Sequence, residues 1–142
     1  MSHHDRNVSE IMRREVATLS PDEKLDLADD IMRLGRVRHM PVTKDSKVVG
    51  VVSTRDLMAA SLSRALEFDW SERRTFLKSV TVSEAMSGEP ITIEPETTLR
   101  DAAKLMLERK IGCLPVVEPD GTLLGLVTET DMLAAAFLAD DE

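Results

Sequence analysis

The strongest constraint on this chain is internal repetition. Val8-Ser9-Glu10-Ile11-Met12 returns as Val82-Ser83-Glu84-Ala85-Met86, and at the same offset of 74 residues Thr18, Pro21, Leu25, Ala28, Met32, Pro41 and Val42 return as Thr92, Pro95, Leu99, Ala102, Met106, Pro115 and Val116. Twelve of the 35 positions from Val8 to Val42 match their counterparts. One residue enters before Gly125, after which Gly50, Val52, Asp56, Ala59 and Ala60 pair with Gly125, Val127, Asp131, Ala134 and Ala135 at an offset of 75. Two copies of about 60 residues are too few for an open solenoid, which needs three or more repeats, so the expected form is two units closed around a shared core on a pseudo-twofold axis. The boundaries read as 7–66 for the first copy, 67–80 for a linker and 81–139 for the second. Near-identical halves create clefts, and clefts bind ligands.

Length and charge narrow the class. A chain of 142 residues buries enough apolar surface to need no staple, and the single Cys113 excludes both an intramolecular disulfide and a cysteine-rich zinc site. The first residues carry no apolar stretch of the secretory kind, and no run approaches a membrane span. A soluble, cytoplasmic protein without membrane insertion is expected. The net charge of −8 argues against general attraction to DNA or anionic membranes. The charge is uneven: residues 7–66 hold ten Lys or Arg against nine Asp or Glu, whereas residues 81–139 hold four against ten. Asp140-Asp141-Glu142 reads as a solvated acidic tail.

Each copy reads as strand, helix, strand, strand, helix, an α/β (α+β) layer with a right-handed crossover. In the first, Ala17-Thr18-Leu19 is a short strand and Ser20-Pro21-Asp22-Glu23 opens a helix. Leu25, Ala28 and Met32, with Leu27, Ile31 and Leu34, supply its apolar face, and Gly35 ends it. Met40–Thr43 and Val48–Ser53 form a hairpin about Lys44-Asp45-Ser46-Lys47, and a second helix starts near Thr54. The second copy repeats this, with a helix from about Thr97 to Lys110, a hairpin turning at Pro119-Asp120-Gly121 and a helix from about Glu129 to Leu138. The stretch Leu62–Val80 has no counterpart and holds Phe68, Trp70 and Phe76 together with Glu72, Arg73 and Arg74. It reads as an extended helix and linker packing on the second copy, with a partner-docking surface as the sharper alternative, since aromatics and arginines concentrate at interfaces.

The ordered elements resemble a tandem pair of CBS (cystathionine β-synthase-type) domains, the Bateman module. They are a proline before a helix, Leu-x-x-Ala-x-x-x-Met within it, His39-Met40-Pro41-Val42 or Cys113-Leu114-Pro115-Val116 on the next strand, and then Gly50-Val51-Val52-Ser53-Thr54-Arg55-Asp56 or Gly125-Leu126-Val127-Thr128-Glu129-Thr130-Asp131. The resemblance covers Val8 to about Leu138. It implies a regulatory module that binds adenosine-containing ligands, such as AMP, ADP, ATP or S-adenosylmethionine, with adenine held by one copy and ribose and phosphate by the Ser/Thr-x-x-Asp element of the other. One cleft would then join Val51, Ser53, Arg55 and Asp56 to Pro90, Ile91, Ile111, Gly112 and Cys113. The other would join Leu126, Thr128, Thr130 and Asp131 to Met12, Val16, Ala17, Val37, Arg38 and His39.

The chemistry of these residues fits that role. A hydroxyl and free backbone N–H groups at a helix start can meet phosphate, while a carboxylate accepts hydrogen bonds from two ribose hydroxyls. Arg55 adds a phosphate-directed cation to the first cleft, whereas the second has Glu129 beside its threonine and looks to Arg38 and His39 for positive charge. Each residue also has a structural reading. Ser53, Thr128, Asp56 and Asp131 are good helix caps, His39 suits a strand entrance, and Cys113 behaves as a small hydrophobe. Met12, Met32, Met86 and Met106 read as core filling.

Catalysis finds no support. The chain has no His-x-x-x-His or cysteine pair for a metal, no Gly-x-x-x-x-Gly-Lys loop and no nucleophile with a placed base, and His3 and His4 stand at the terminus. No cofactor is expected beyond a regulatory adenine nucleotide. The alanines at 59–60 and 134–136 lie on exposed helices and permit close approach between chains, which points to a homodimer. An energy sensor acting on a separate enzyme or transporter is the leading reading. The alternative is an assembly module that keeps the fold for dimerisation or partner docking and binds no nucleotide.

Overall fold

Leu25, Ala28 and Met32 are buried along one face of α1 (Leu25–Gly35), and their counterparts Leu99, Ala102 and Met106 line α5 (Leu99–Arg109) in the same way. The computed structural model describes residues 6–62 and 70–138, the side chains of 61, 62 and 70 excepted. The elements run from a short 3₁₀ turn, Val8–Glu10, through α1, β1 (His39–Lys44), β2 (Lys47–Ser53), α2 (Thr54–Leu62), α3 (Trp70–Leu77) and α4 (Val82–Ala85) to α5, β3 (Cys113–Val117), β4 (Leu123–Thr128) and α6 (Glu129–Phe137). β1 and β2 form one antiparallel hairpin and β3 and β4 another, each with a register shift near its turn, between Val42 and Thr43 and between Val116 and Val117. Asp45 and Ser46 both adopt left-handed backbone, at φ 53° and 69°, in the two-residue turn whose twist suits a hairpin. The mixed helix-and-strand class and both hairpins follow the expectation.

Three local expectations need correction. Ala17–Leu19 is not a strand: only Leu19 bridges Val42 in parallel, donating to Pro41 O at 3.0 Å and accepting from Thr43 N–H at 2.9 Å. Ile93 repeats this against Val116. The first helix starts four residues beyond Pro21, because Ser20–Glu23 closes into its own turn, with the Ser20 N–H bonded to Glu23 Oε1 at 3.0 Å. Gly35 is the last helical residue, and the left-handed position after it belongs to Arg36 (φ 54°), matched by Lys110 (φ 54°) after α5.

The chain divides into two compact units, residues 17–90 and residues 1–16 with 91–142. Among the described residues the buried apolar side chains form two clusters, one in each unit. Each cluster draws on both repeats. Val8 and Met12 join Leu99, Leu114, Val116 and Val127, while Val82 joins Leu25, Met40, Val42, Val52 and Leu77. The same backbone bonds hold each exchanged segment: Val8 N–H to Thr97 O at 2.8 Å and Leu99 N–H to Arg6 O at 2.8 Å, against Val82 N–H to Glu23 O at 2.7 Å and Leu25 N–H to Val80 O at 2.9 Å. Arg13 and Leu126 then exchange two N–H···O bonds of 2.9 Å, and Ser87 N–H reaches Val51 O at 3.1 Å.

This exchange explains a glycine in each second strand. A Cβ at Gly125 would sit 2.7 Å from Arg13 O and 2.8 Å from Met12 Sδ, and one at Gly50 would sit 2.8 Å from Ser87 O and 2.5 Å from Met86 Sδ. Any side chain there would push the incoming backbone off the strand.

The linker expectation is overturned in its direction. α3 docks on α1 of the first repeat, within unit 17–90. Arg74 meets Asp30 with two hydrogen bonds, 2.7 and 2.9 Å, and Arg73 lies 3.3 Å from Asp29. Leu77 is fully buried in that cluster and Phe76 packs against it. The two arginines proposed for partner docking are therefore engaged within the chain. Phe68 and the Trp70 side chain, invoked for the same surface, lie outside the described residues, as do His3, His4 and the acidic tail.

Candidate functional site

In both units a strand runs without a loop into a helix, and the junction is closed by the same reciprocal pair. Ser53 N–H donates to Asp56 Oδ2 at 2.7 Å while Asp56 N–H donates to Ser53 Oγ at 3.1 Å. At the other junction Thr128 N–H and Oγ1–H both donate to Asp131 Oδ2 at 2.9 Å, and Asp131 N–H returns to Thr128 Oγ1 at 3.3 Å. These are capping boxes, with the carboxylate three residues into the helix satisfying the cap backbone. The capping role is thus real, and it leaves Oδ1 of each carboxylate for something else.

The neighbouring backbone is equally matched. Thr54 N–H is taken by Arg38 O at 2.9 Å, and Glu129 N–H by Gly112 O at 3.0 Å. His39 stands opposite Ser53 across one hairpin and Cys113 opposite Thr128 across the other. In unit 17–90 the structure therefore gathers Val51, Ser53, Asp56, Arg38 and His39, with Arg55 exposed on the first turn of α2. Val37 is half-buried, Ala17 is exposed and Pro90 is half-buried in the same unit. In the other unit Gly112 and Cys113 adjoin Thr128, Thr130 is exposed, and Val16, Ile91 and Ile111 are half-buried. Met12, Leu126 and Cys113 are buried, at 8%, 4% and 6% exposure. Met12 packs in the core cluster of its unit, and both backbone groups of Leu126 are taken by Arg13.

The electrostatics of the two junctions differ. Asp131 Oδ1 accepts from Arg13 Nε–H at 3.1 Å, in an ion pair whose carboxylate side chain is 10% exposed and whose arginine is 62% exposed. The corresponding position in the other repeat is Ser87, which bonds Val51 O through its hydroxyl at 3.2 Å. Asp56 has no ion pair among the described residues, and neither does Arg55. The cation at Asp131 is thus Arg13, a residue that sequence reasoning did not single out in looking to Arg38 and His39. Its only signal is the Arg13/Ser87 mismatch, one of three between residues 8–15 and 82–89. Among the described residues no group of His, Cys, Asp and Glu is arranged to hold a metal ion, and no helix is long and apolar enough to cross a membrane.

Comparison with known proteins bears on this geometry. The CBS domain family model matches twice, at residues 8–63 and 82–137. A CBS domain-containing protein of Dictyostelium discoideum is 33% identical over 127 residues, covering 89% of this chain and 88% of that protein. An inosine-5'-monophosphate dehydrogenase of Korarchaeum cryptofilum is 35% identical over 119 residues, 84% of this chain but only 22% of the enzyme, so the likeness is confined to a small part of it. Among solved structures, CBSX2 of Arabidopsis thaliana in complex with AMP superposes with a TM-score of 0.77 at 29% identity, covering 92% of this chain and 95% of that one. The two matched repeats, the paired strand-to-helix caps and this superposition establish that the chain belongs to the CBS-domain family.

Proposed function

We propose that this chain is a regulatory module that senses an adenosine-containing ligand, AMP, ADP, ATP or S-adenosylmethionine, and signals to a separate enzyme or transporter. The observation that carries the reading is the pair of matching caps, Ser53–Asp56 and Thr128–Asp131, each offering a second carboxylate oxygen at a helix start. There the carboxylate receives ribose hydroxyls, Arg55 or Arg13 together with the positive end of the helix receives phosphate, and half-buried apolar residues, Val37, Val51 and Pro90 in unit 17–90 and Ile91 and Ile111 in the other, receive the base. The AMP complex of CBSX2, similar over nearly its whole length, supports the choice of ligand class. The role is binding without catalysis, in a cytoplasmic protein.

Thermal shift tests the reading. At about 100 times the dissociation constant a ligand adds about 2.7 kcal/mol, or on the order of 5–10 °C in this size range. Adenine nucleotides should give that shift, with guanine and pyrimidine nucleotides giving less. A flat response to AMP, ADP, ATP and S-adenosylmethionine at millimolar levels would overturn it in favour of assembly.

One feature favours an assembly role alongside sensing. α6 exposes Leu133 (60%) and Phe137 (72%) together with Ala134 and Ala136, and Leu138 (67%) is exposed at its C-cap. A homodimer built on this face is proposed here.

A further inference from the structure

We propose that Arg13 is a specificity-determining residue that makes the Asp131 half-site select phosphate-bearing ligands over neutral nucleosides, an inference that rests on the nucleotide reading above. Asp131 spends Oδ2 on its own cap, so Oδ1 alone remains for a ligand, and Arg13 Nε–H holds it at 3.1 Å. A ribose hydroxyl that approaches Oδ1 competes with a guanidinium for a carboxylate only 10% exposed, and wherever it takes the guanidinium's place a neutral hydrogen bond replaces a charge-assisted one. The displaced guanidinium cannot travel far. Its backbone is clamped to Leu126 by two 2.9 Å bonds, so only the side chain, 62% exposed, swings away while staying beside the start of α6. A phosphate at that helix start gives it a new anionic partner; adenosine gives it none. Glu129 and Asp131 stand in the first turn of α6, so the released cation also offsets the acidity that would otherwise repel phosphate. The Asp56 half-site lacks this arrangement: its carboxylate carries no ion pair among the described residues, and Ser87 stands where Arg13 would. The two half-sites are therefore unequal, the one at Asp56 tolerant of ligands without phosphate and the one at Asp131 not.

Calorimetric titration with adenosine, AMP and ATP isolates the effect when the full chain carries Asp56→Ala, so that only the Asp131 half-site reports. With Arg13 present, ATP should bind and adenosine should lag behind it by about tenfold or more. Adding Arg13→Ala should tighten adenosine by up to about fivefold, the worth of a partly exposed ion pair, and weaken ATP by about tenfold. Arg13→Lys should retain most of the ATP preference. Since the Arg13 side chain is largely exposed, its loss should leave the fold intact, which melting checks directly. Equal changes for adenosine and ATP, or weaker adenosine, in a protein that binds nucleotide would overturn the role of Arg13 and leave the nucleotide reading standing. Absence of adenine nucleotide binding in the unsubstituted chain and in Arg13→Ala alike would overturn both.

Discussion

Gly125→Ala should be among the most costly single-methyl additions in this protein. The new Cβ would lie 2.7 Å from Arg13 O and 2.8 Å from Met12 Sδ, inside contact distance of a backbone oxygen that cannot rotate away. Overpacking of this kind costs about 1–3 kcal/mol. Relief requires the Arg13 segment to lift from β4, which stretches the two 2.9 Å bonds between Arg13 and Leu126, each worth about 0.5–1.5 kcal/mol net. The expected loss is about 2–4 kcal/mol, or about 6–12 °C in melting temperature at roughly 3 °C per kcal/mol for a chain of this size. Gly50→Ala meets Ser87 O at 2.8 Å and should behave alike. Gly88 is the internal control, since a Cβ there has no atom within 4 Å, and Gly88→Ala should change stability by no more than about 0.5 kcal/mol. Melting followed by circular dichroism compares the three. If Gly125→Ala and Gly50→Ala melt together with Gly88→Ala, the close approach of the exchanged segments is wrong.

Arg36 and Lys110 close their helices in left-handed backbone without being glycine, so Arg36→Gly and Lys110→Gly should each stabilise by about 0.5–1 kcal/mol; destabilisation in chemical denaturation would contradict the strain. The Arg74 side chain, by its hydrogen bonds to Asp30, holds that carboxyl below its ordinary 3.8 despite the opposing desolvation. Because the folded value is the depressed one, the stabilisation is complete above the unfolded value and is lost as pH falls through the folded one. The melting difference between the parent and Arg74→Ala should therefore be constant above about pH 5 and shrink below about pH 4, and a difference that grows on acidification would refute the pairing. Phe137→Asp should convert the proposed dimer to monomer by light scattering, and a parent protein already monomeric at micromolar concentration would remove the α6 interface.

What the sequence made legible was the local and repeated part of the fold. Helical spacing of Leu25, Ala28 and Met32, the polar turns and the helix-hairpin-helix order of each repeat rest on interactions within a few residues, and repetition doubled each signal. The exchange of the first segment of each repeat was not legible, because it depends on pairs such as Arg13 with Leu126 that lie more than a hundred residues apart. Gly50 and Gly125 stood out as repeated, yet their purpose appears only once a neighbouring backbone is placed against them. Likewise Arg73 and Arg74 read as a surface for a partner because their acidic partners, Asp29 and Asp30, sit 44 residues earlier on another helix. The Ser/Thr-x-x-Asp caps were visible as spacing, whereas the unequal electrostatics of the two carboxylates came from Arg13, whose role needed the third dimension.

In the proposed site Asp56 and Asp131 each receive an adenosine ligand through the oxygen their caps leave over. Calorimetric titration of ATP into the parent chain, Asp56→Ala, Asp131→Ala and the double variant tests it most directly, with melting to confirm that each variant is folded at the working temperature. Two binding events are expected in the parent, one in each single variant and none in the double, since losing a hydrogen-bonded carboxylate costs about 1.5–3 kcal/mol. Undiminished ATP binding by a folded double variant would contradict it.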